Sequence, residues 1–158
     1  MTSANENIRS ERIHKINDLI RITRDGAEFY SHADKAVDDP QLQTIFSQMA
    51  DSKNGLVGSM SRQIREAGAE PATSGTYVGA MRELYAGLRA SLVSDNSDYA
   101  YVRELESSED RLLKAFHDVI ASDSVAPELK QTLEAYLPTV RAHHDAMRNR
   151  KWAMESRH

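Results

Sequence analysis

The stretch Tyr99–Ala121 has apolar side chains at steps of three and four residues, with a carboxylate in the middle of them. On a helix with 100° per residue, the apolar positions fall within about 60° of one line along its axis. Those positions are Val102, Leu105, Leu112, Leu113, Phe116 and Ile120. Glu109 lies at the centre of that line, with Glu106 at its edge. Since an unpaired buried carboxylate is costly, the segment predicts a core-facing helix whose acid must be neutralised, paired or bound to a cation.

Three further segments show the same helical period, and no stretch alternates with the period of two that marks a strand. Asp39 and Pro40 are typical of a helix N-cap and first position, and Gly68 is typical of a residue just past a helix end. We therefore expect an all-α protein with one domain over residues 1–158. The four long helices are expected at about residues 10–36, 40–67, 98–121 and 127–155.

A linker and a shorter amphipathic segment separate the second long helix from the third. The linker is Gly68–Thr76, and the shorter helix is expected at about residues 77–93. Two long helices, a connection that contains a short helix, and two more long helices are typical of two helical hairpins joined by a crossover. The ferritin-like four-helix bundle has such an arrangement.

Composition excludes several classes of protein. The formal net charge is −4, so the chain lacks the basic surplus expected of a nucleic-acid-binding protein. It has no cysteine, which excludes disulfides and sulfur-ligated metal and suits a reducing compartment. No segment reaches the roughly 18 uninterrupted apolar residues of a membrane helix. We therefore expect a cytoplasmic protein without a membrane or nucleic-acid partner.

Several short motifs resemble those of an uncharacterised bacterial family of ferritin-like four-helix-bundle proteins, a domain of unknown function. The motifs are Ile16–Ile20, Asp25-Gly26, Asp38–Leu42, Gly68–Pro71, Glu104–Asp110 and His144-Asp145. Together they span most of the chain. The resemblance implies the ferritin-like fold, and it implies no mechanism because the family's own function is unknown.

Ferritin-like oxidases hold two metal ions with a Glu from each of two helices and a Glu-x-x-His from each of the other two. The inward-facing candidates here are Glu109, with Glu106 beside it, and His144 on the fourth helix. Lys53 stands where the second helix would need a Glu, and Arg141 stands three residues before His144. These added cations would repel a metal ion, so an intact di-metal oxidase is disfavoured. The alternative that stays open is a weaker iron or zinc site formed by Glu106, Glu109 and His144, with Glu28 as a distant candidate.

The preferred interpretation is a buried ion pair between Lys53 and Glu109, each centred on the apolar line of its own helix. The ammonium group would then take the role that a metal cation has in an active ferritin-like oxidase, and no cofactor would be needed. His143 is expected to be a surface histidine beside that core line.

The first helix carries two apolar stripes, and this pattern predicts that it is covered on two sides. The second stripe includes Leu19, Ile22 and Phe29. Either the crossover helix or a second copy of the chain could cover it, and a two-fold homodimer is the commonest assembly. In such a dimer, Phe29→Glu would separate the subunits without loss of helicity.

Three functions stay open at this point. The leading one is a non-enzymatic structural or interaction protein with a degenerate metal site. The second is a metal-binding protein, with iron or zinc and a possible redox or stress role. The third is an adaptor for an unknown protein partner, which would need the face at about residues 77–93 to be exposed.

Overall fold

The computed structural model describes residues 2–75, 86, 97–123 and 127–156, and these ranges contain helices and no strand. The arrangement is consistent with a four-helix bundle, so the prediction of an all-α protein is confirmed. The first helix begins earlier than the expected start near residue 10. The predicted crossover helix at about 77–93 lies, apart from Ala86, outside the described residues. The helices are α1 (Thr2–Ala36), α2 (Pro40–Glu66), α3 (Ser97–Ile120) and α4 (Pro127–Glu155).

The ends of α2 follow the local sequence. Asp39 is the N-cap, its carboxylate accepts a hydrogen bond from the Gln41 N–H at 2.9 Å, and Pro40 occupies the first helical turn. At the other end Gly68 adopts a φ of +80°, the left-handed conformation that glycine reaches without strain. The N–H groups of Gly68 and Ala69 then donate back to carbonyl oxygens of the last helical turn. The two ends therefore result from local chemistry.

The helices pack most extensively as two pairs, α1 with α2 and α3 with α4, and α1 also packs against α3. The chain after α2 lies along α1, where the backbone N–H of Ala72 donates to Asn17 at 2.8 Å and the Arg24 side chain donates to the Ala72 carbonyl at 3.0 Å. At the opposite end, the Asp98 carboxylate at the start of α3 accepts hydrogen bonds from the α1–α2 connection. The Asp98 contacts therefore join α3 to the first pair, whereas the Ala72 contacts attach the segment after α2 to α1.

The buried apolar side chains form two clusters, one towards each end of the helices. The first cluster comprises Ile16, Leu19, Ile20, Leu56, Val57, Met60, Ile64, Ala72, Leu112, Phe116, Val119, Leu133 and Val140. The second comprises Phe29, Tyr30, Ala33, Val37, Leu42, Phe46, Met49, Ala50, Ala100, Tyr101, Val102, Leu105 and Met147. Along every helix, a short polar interval separates the residues of one cluster from those of the other. The candidate site lies in that interval.

The second stripe of α1 is buried by the chain itself. Leu19, Phe29 and Ala33 are at most 1% exposed, and the Phe29 ring lies 6.2 Å from the Tyr101 ring of α3. The expectation that Phe29→Glu would separate two subunits with helicity intact is therefore wrong, because a charge there would enter the core of a single chain. The stripe requires no second subunit, and a homodimer stays a prediction.

None of the helices within the described ranges is both long enough and apolar enough to cross a membrane.

Candidate functional site

A layer of polar side chains crosses the interior between the two apolar clusters. Four of its members come from four different helices: Lys53 from α2, Glu109 from α3, His143 from α4, and Tyr30 from α1, which also packs in the second apolar cluster. All four are buried. Tyr30, Lys53 and Glu109 follow the helical period of the apolar line of their own helix, so the sequence places these three inward despite their polarity. The layer is therefore built from four separate helices.

Glu109 is the centre of this layer. Its two carboxylate oxygens each lie 2.9 Å from the Lys53 ammonium nitrogen. The Tyr30 hydroxyl donates a further hydrogen bond to the same carboxylate at 3.3 Å. The Lys53 and Glu109 side chains are 0% and 1% exposed, so water does not solvate the pair. The acid in the apolar line is therefore satisfied by one ammonium group and one hydroxyl.

Burial and pairing act in opposite directions on these groups. Burial raises the pKa of Glu109, and the charge and hydrogen bond of Lys53 only partly counter it. Burial likewise lowers the pKa of Lys53 against the opposing effect of Glu109. The pKa of Tyr30 rises well above its ordinary value, through burial first and then through the adjacent carboxylate, so its hydroxyl stays protonated and donates. Each partner therefore depends on the other to remain charged.

His143 is a buried histidine, which corrects the expectation that it lies on the surface. Its side chain is 9% exposed, and its Nε2 atom lies 3.0 Å from the Ser52 hydroxyl of α2. Its Nδ1 atom is buried and has no hydrogen-bond partner among the described residues. Burial first, and then the positive charge of Lys53, lower its pKa from 6.5 to about 4. The ring is therefore neutral near pH 7.

The sequence predicts that His144 is the inward-facing histidine of α4, whereas the structure buries His143, and helix geometry explains this difference. The buried positions Leu133, Val140 and Met147 are spaced by seven residues. On an ideal helix such a line drifts by about 20° per seven residues, and along α4 this drift turns the core line towards His143. A helical wheel that uses one fixed direction for the whole helix assigns the inward position to His144 instead. The angle between the fixed direction of the wheel and the core line therefore grows along α4.

His144 lies at the rim between α3 and α4, among carboxylates. Its Nε2 atom is 2.5 Å from Asp110 and its Nδ1 atom is 3.0 Å from Asp145. Burial alone would lower the pKa of His144, but the hydrogen bonds and charges of the two aspartates together raise it. The hydrogen bond to His144 is the largest cause of a lowered pKa at Asp145.

Glu106 completes this rim cluster. Ligand atoms of Glu106, Asp110 and His144 all lie within 4.8 Å of one another. Among the described residues, these three form a group of side chains close enough to hold a metal ion. Glu106 also lies 3.6 Å from the Lys151 ammonium group of α4. The structure thus brings together two of the three residues considered for a metal site, Glu106 and His144, and adds Asp110 to them. Sequence reasoning did not include Asp110 because it lies about 100° from the apolar line.

The remaining members of the sequence-derived set lie elsewhere. The Glu109 carboxylate points to Lys53 and Tyr30, in the interior. Glu28 is exposed on α1 and Arg141 is exposed on α4. The signal that could have identified Asp110 is its spacing from Glu106, because residues four apart share a helix face. Chemically, the interior layer offers a closed ion pair, and the rim offers two carboxylates and an imidazole near solvent.

Comparison with known proteins adds a family assignment. A family model described as Domain of unknown function (DUF2383) matches residues 11–122, a span that includes Tyr30, Lys53 and Glu109 but ends before α4 and its two histidines. The chain matches no curated protein and no solved structure. Because the family model covers well over half of the 158 residues, the chain belongs to the DUF2383 family, a domain of unknown function.

Proposed function

We propose that this protein is a non-enzymatic, ferritin-like four-helix bundle with a structural or interaction role, in which a lysine replaces the interior metal ion. The observation that carries the proposal is the contact between the Lys53 ammonium group and both oxygens of Glu109, with each side chain buried. An oxidase of this fold would need those oxygens as metal ligands. Here they are already occupied by a cation that belongs to the chain.

Charge balance supports this proposal. A divalent ion placed at Glu109 would lie within a few ångströms of the Lys53 ammonium group, and like charges at that distance repel strongly where water is excluded. The four side chains of the polar layer include one carboxylate, that of Glu109, and one neutral imidazole, that of His143, and these cannot neutralise both cations. To make room for the ion, Lys53 would have to lose its proton or leave the core.

A structural role gives the polar layer a purpose that does not depend on a ligand. Buried ion pairs add little net stability, yet they disfavour packings in which one partner stays unpaired. Lys53 and Glu109 meet only when α2 and α3 have one particular axial alignment. We propose that the layer selects this alignment of the helices. A homodimer is the assembly we propose for such a role, since two-fold dimers are the commonest, and a strict monomer at micromolar concentration in sedimentation would overturn it.

To test whether the interior binds or oxidises a metal, Fe²⁺ is added in air, and both its oxidation and the metal retained after gel filtration are measured. We expect Glu109→Gln and the exposed control Glu134→Gln to behave like the original chain. Because Glu109→Gln leaves a buried lysine unpaired, Lys53→Met with Glu109→Leu serves as a second, well-folded variant. Oxidation or tightly retained iron that disappears in both Glu109 variants and persists in Glu134→Gln would overturn the proposal.

A further inference from the structure

We propose that Glu106, Asp110 and His144 form a binding site for one divalent transition-metal ion, best matched by Zn²⁺, at the rim between α3 and α4. Their ligand atoms lie within 4.8 Å of one another. Tetrahedral Zn²⁺ with ligand bonds of about 2.0–2.2 Å needs ligand atoms roughly 3.4 Å apart. Small side-chain rotations therefore close the group around an ion. The site lies outside the Lys53–Glu109 pair and does not depend on the role proposed for the interior.

The helices position these three ligands before any ion binds. Glu106 and Asp110 are four residues apart on α3, so their side chains project from the same face, and His144 faces them from α4. The Glu106 and His144 side chains are 13% and 12% exposed, which limits their movement, whereas Asp110 is 58% exposed. Two ligands are thus held by packing, and the third leaves a path from solvent.

A second contact of His144 is of the kind that orients a metal-ligating histidine. The Nδ1 atom of His144 is 3.0 Å from the Asp145 carboxylate, which lies outside the three-residue group. Arg148 in turn lies 3.5 Å from Asp145. A carboxylate that accepts the Nδ1 proton orients a metal-ligating histidine and directs its Nε2 atom at the ion. His144 has this arrangement, with Nε2 directed at Asp110.

Lys151 is the group that an ion would have to displace. Its ammonium nitrogen lies 3.6 Å from Glu106, and its side chain is 23% exposed. A partly exposed lysine can move its charge into water by rotating its long stem, at a small cost. This differs from the interior, where Lys53 is 0% exposed. Lys151 therefore lowers the affinity of the rim site for an ion but does not prevent binding.

The donor atoms select the class of ion. One imidazole nitrogen with two carboxylates suits Zn²⁺ and related transition metals, whereas Mg²⁺ and Ca²⁺ prefer oxygen alone. Three protein ligands leave a fourth tetrahedral position for water, as in zinc sites that are open to solvent. The proposal is limited to binding and assigns no reaction to this water.

The experiment titrates the full chain with Zn²⁺ in a calorimeter, using the exposed Asp118→Asn variant of α3 as the matched control. We expect one ion per chain, an affinity at least tenfold lower in Asp110→Asn and in Asp145→Asn, and no change in Asp118→Asn. Lys151→Met should raise the affinity a few-fold, because it removes the competing cation. A merely structural role for the cluster would not give this gain.

Nitrogen NMR of the histidine rings identifies the binding atom. Zn²⁺ should shift the Nε2 resonance of His144, while Nδ1 keeps its proton towards Asp145. Mg²⁺ at the same concentration should shift neither resonance. The proposal is overturned if Zn²⁺ binds equally well to Asp110→Asn and Asp118→Asn, if it shifts another histidine and not His144, or if no binding occurs at millimolar Zn²⁺.

Discussion

The Lys53 ammonium group lies 2.9 Å from both carboxylate oxygens of Glu109, and neither side chain is more than 1% exposed. The pair joins α2 to α3 at the boundary between the two apolar clusters, and Tyr30 adds a hydrogen bond from α1. In such a position each charge is tolerated only because the other is present. Replacing one residue of the pair should therefore lower the stability of the chain more than replacing both.

Glu109→Gln should lower the free energy of unfolding by about 3–5 kcal/mol, because it leaves the Lys53 charge buried without its counter-ion. Replacement of the whole pair, as Lys53→Met with Glu109→Leu, should restore most of that loss or exceed it, since the core then contains neither buried charge. Chemical denaturation of the single and double variants measures both effects.

The exposed substitution Glu134→Gln serves as the control for that comparison and should change stability by less than about 0.5 kcal/mol. If the double variant is no more stable than Glu109→Gln alone, the two residues do not act as a pair.

The buried His143 ring predicts a loss of stability in mild acid. Its pKa is about 4 in the folded chain against an ordinary 6.5, so between these values the unfolded chain binds a proton that the folded chain excludes. The free energy of unfolding should therefore fall as the pH drops from about 6.5 to about 4, by about 2 kcal/mol after allowing for solvent at the ring.

Denaturation of the original chain and of His143→Gln at pH 7 and pH 4.5 isolates this effect. All other titrating groups are present in both proteins, so the difference between them reports on His143. The variant should lose less stability between the two pH values. Equal losses would show that His143 is protonated as easily in the folded chain as in the unfolded chain.

Two glycines should respond in opposite directions to alanine. Gly58 lies in α2, and a Cβ atom there would meet nothing within 4 Å, so Gly58→Ala should raise stability by about 0.5–1 kcal/mol through helix propensity. At Gly75 a Cβ atom would overlap the buried Asp25 carboxylate, so Gly75→Ala should lower stability by about 1–3 kcal/mol. Thermal melts of the two variants check the difference in sign.

Phe29→Glu should destabilise the single chain by more than about 3 kcal/mol, because Phe29 is fully buried and packs near Tyr101. Circular dichroism at increasing denaturant tests this, with the exposed Glu28→Gln as the neighbouring control. A variant that stays folded and merely changes its mass in sedimentation would show that this face meets another subunit.

The periodicity of each segment predicted much of the local structure. The helices α2, α3 and α4 begin and end within about one residue of their expected bounds, and Asp39 and Gly68 lie at the start and end of α2 as their residue types suggest. The inward position of Glu109 also followed from the sequence. These features depend on neighbours within one or two turns of the same helix, and that information is present in the local sequence.

The contacts between helices needed the tertiary structure. Whether Lys53 or His144 meets Glu109 depends on the axial alignment of separate helices, which no single segment encodes. The inward turn of His143 depends on a drift that accumulates along α4, and Asp110 acquires His144 as a neighbour only once α3 and α4 pack. The sequence thus determined most of the positions that each helix buries, with His143 as an exception, and long-range packing decided which charges meet.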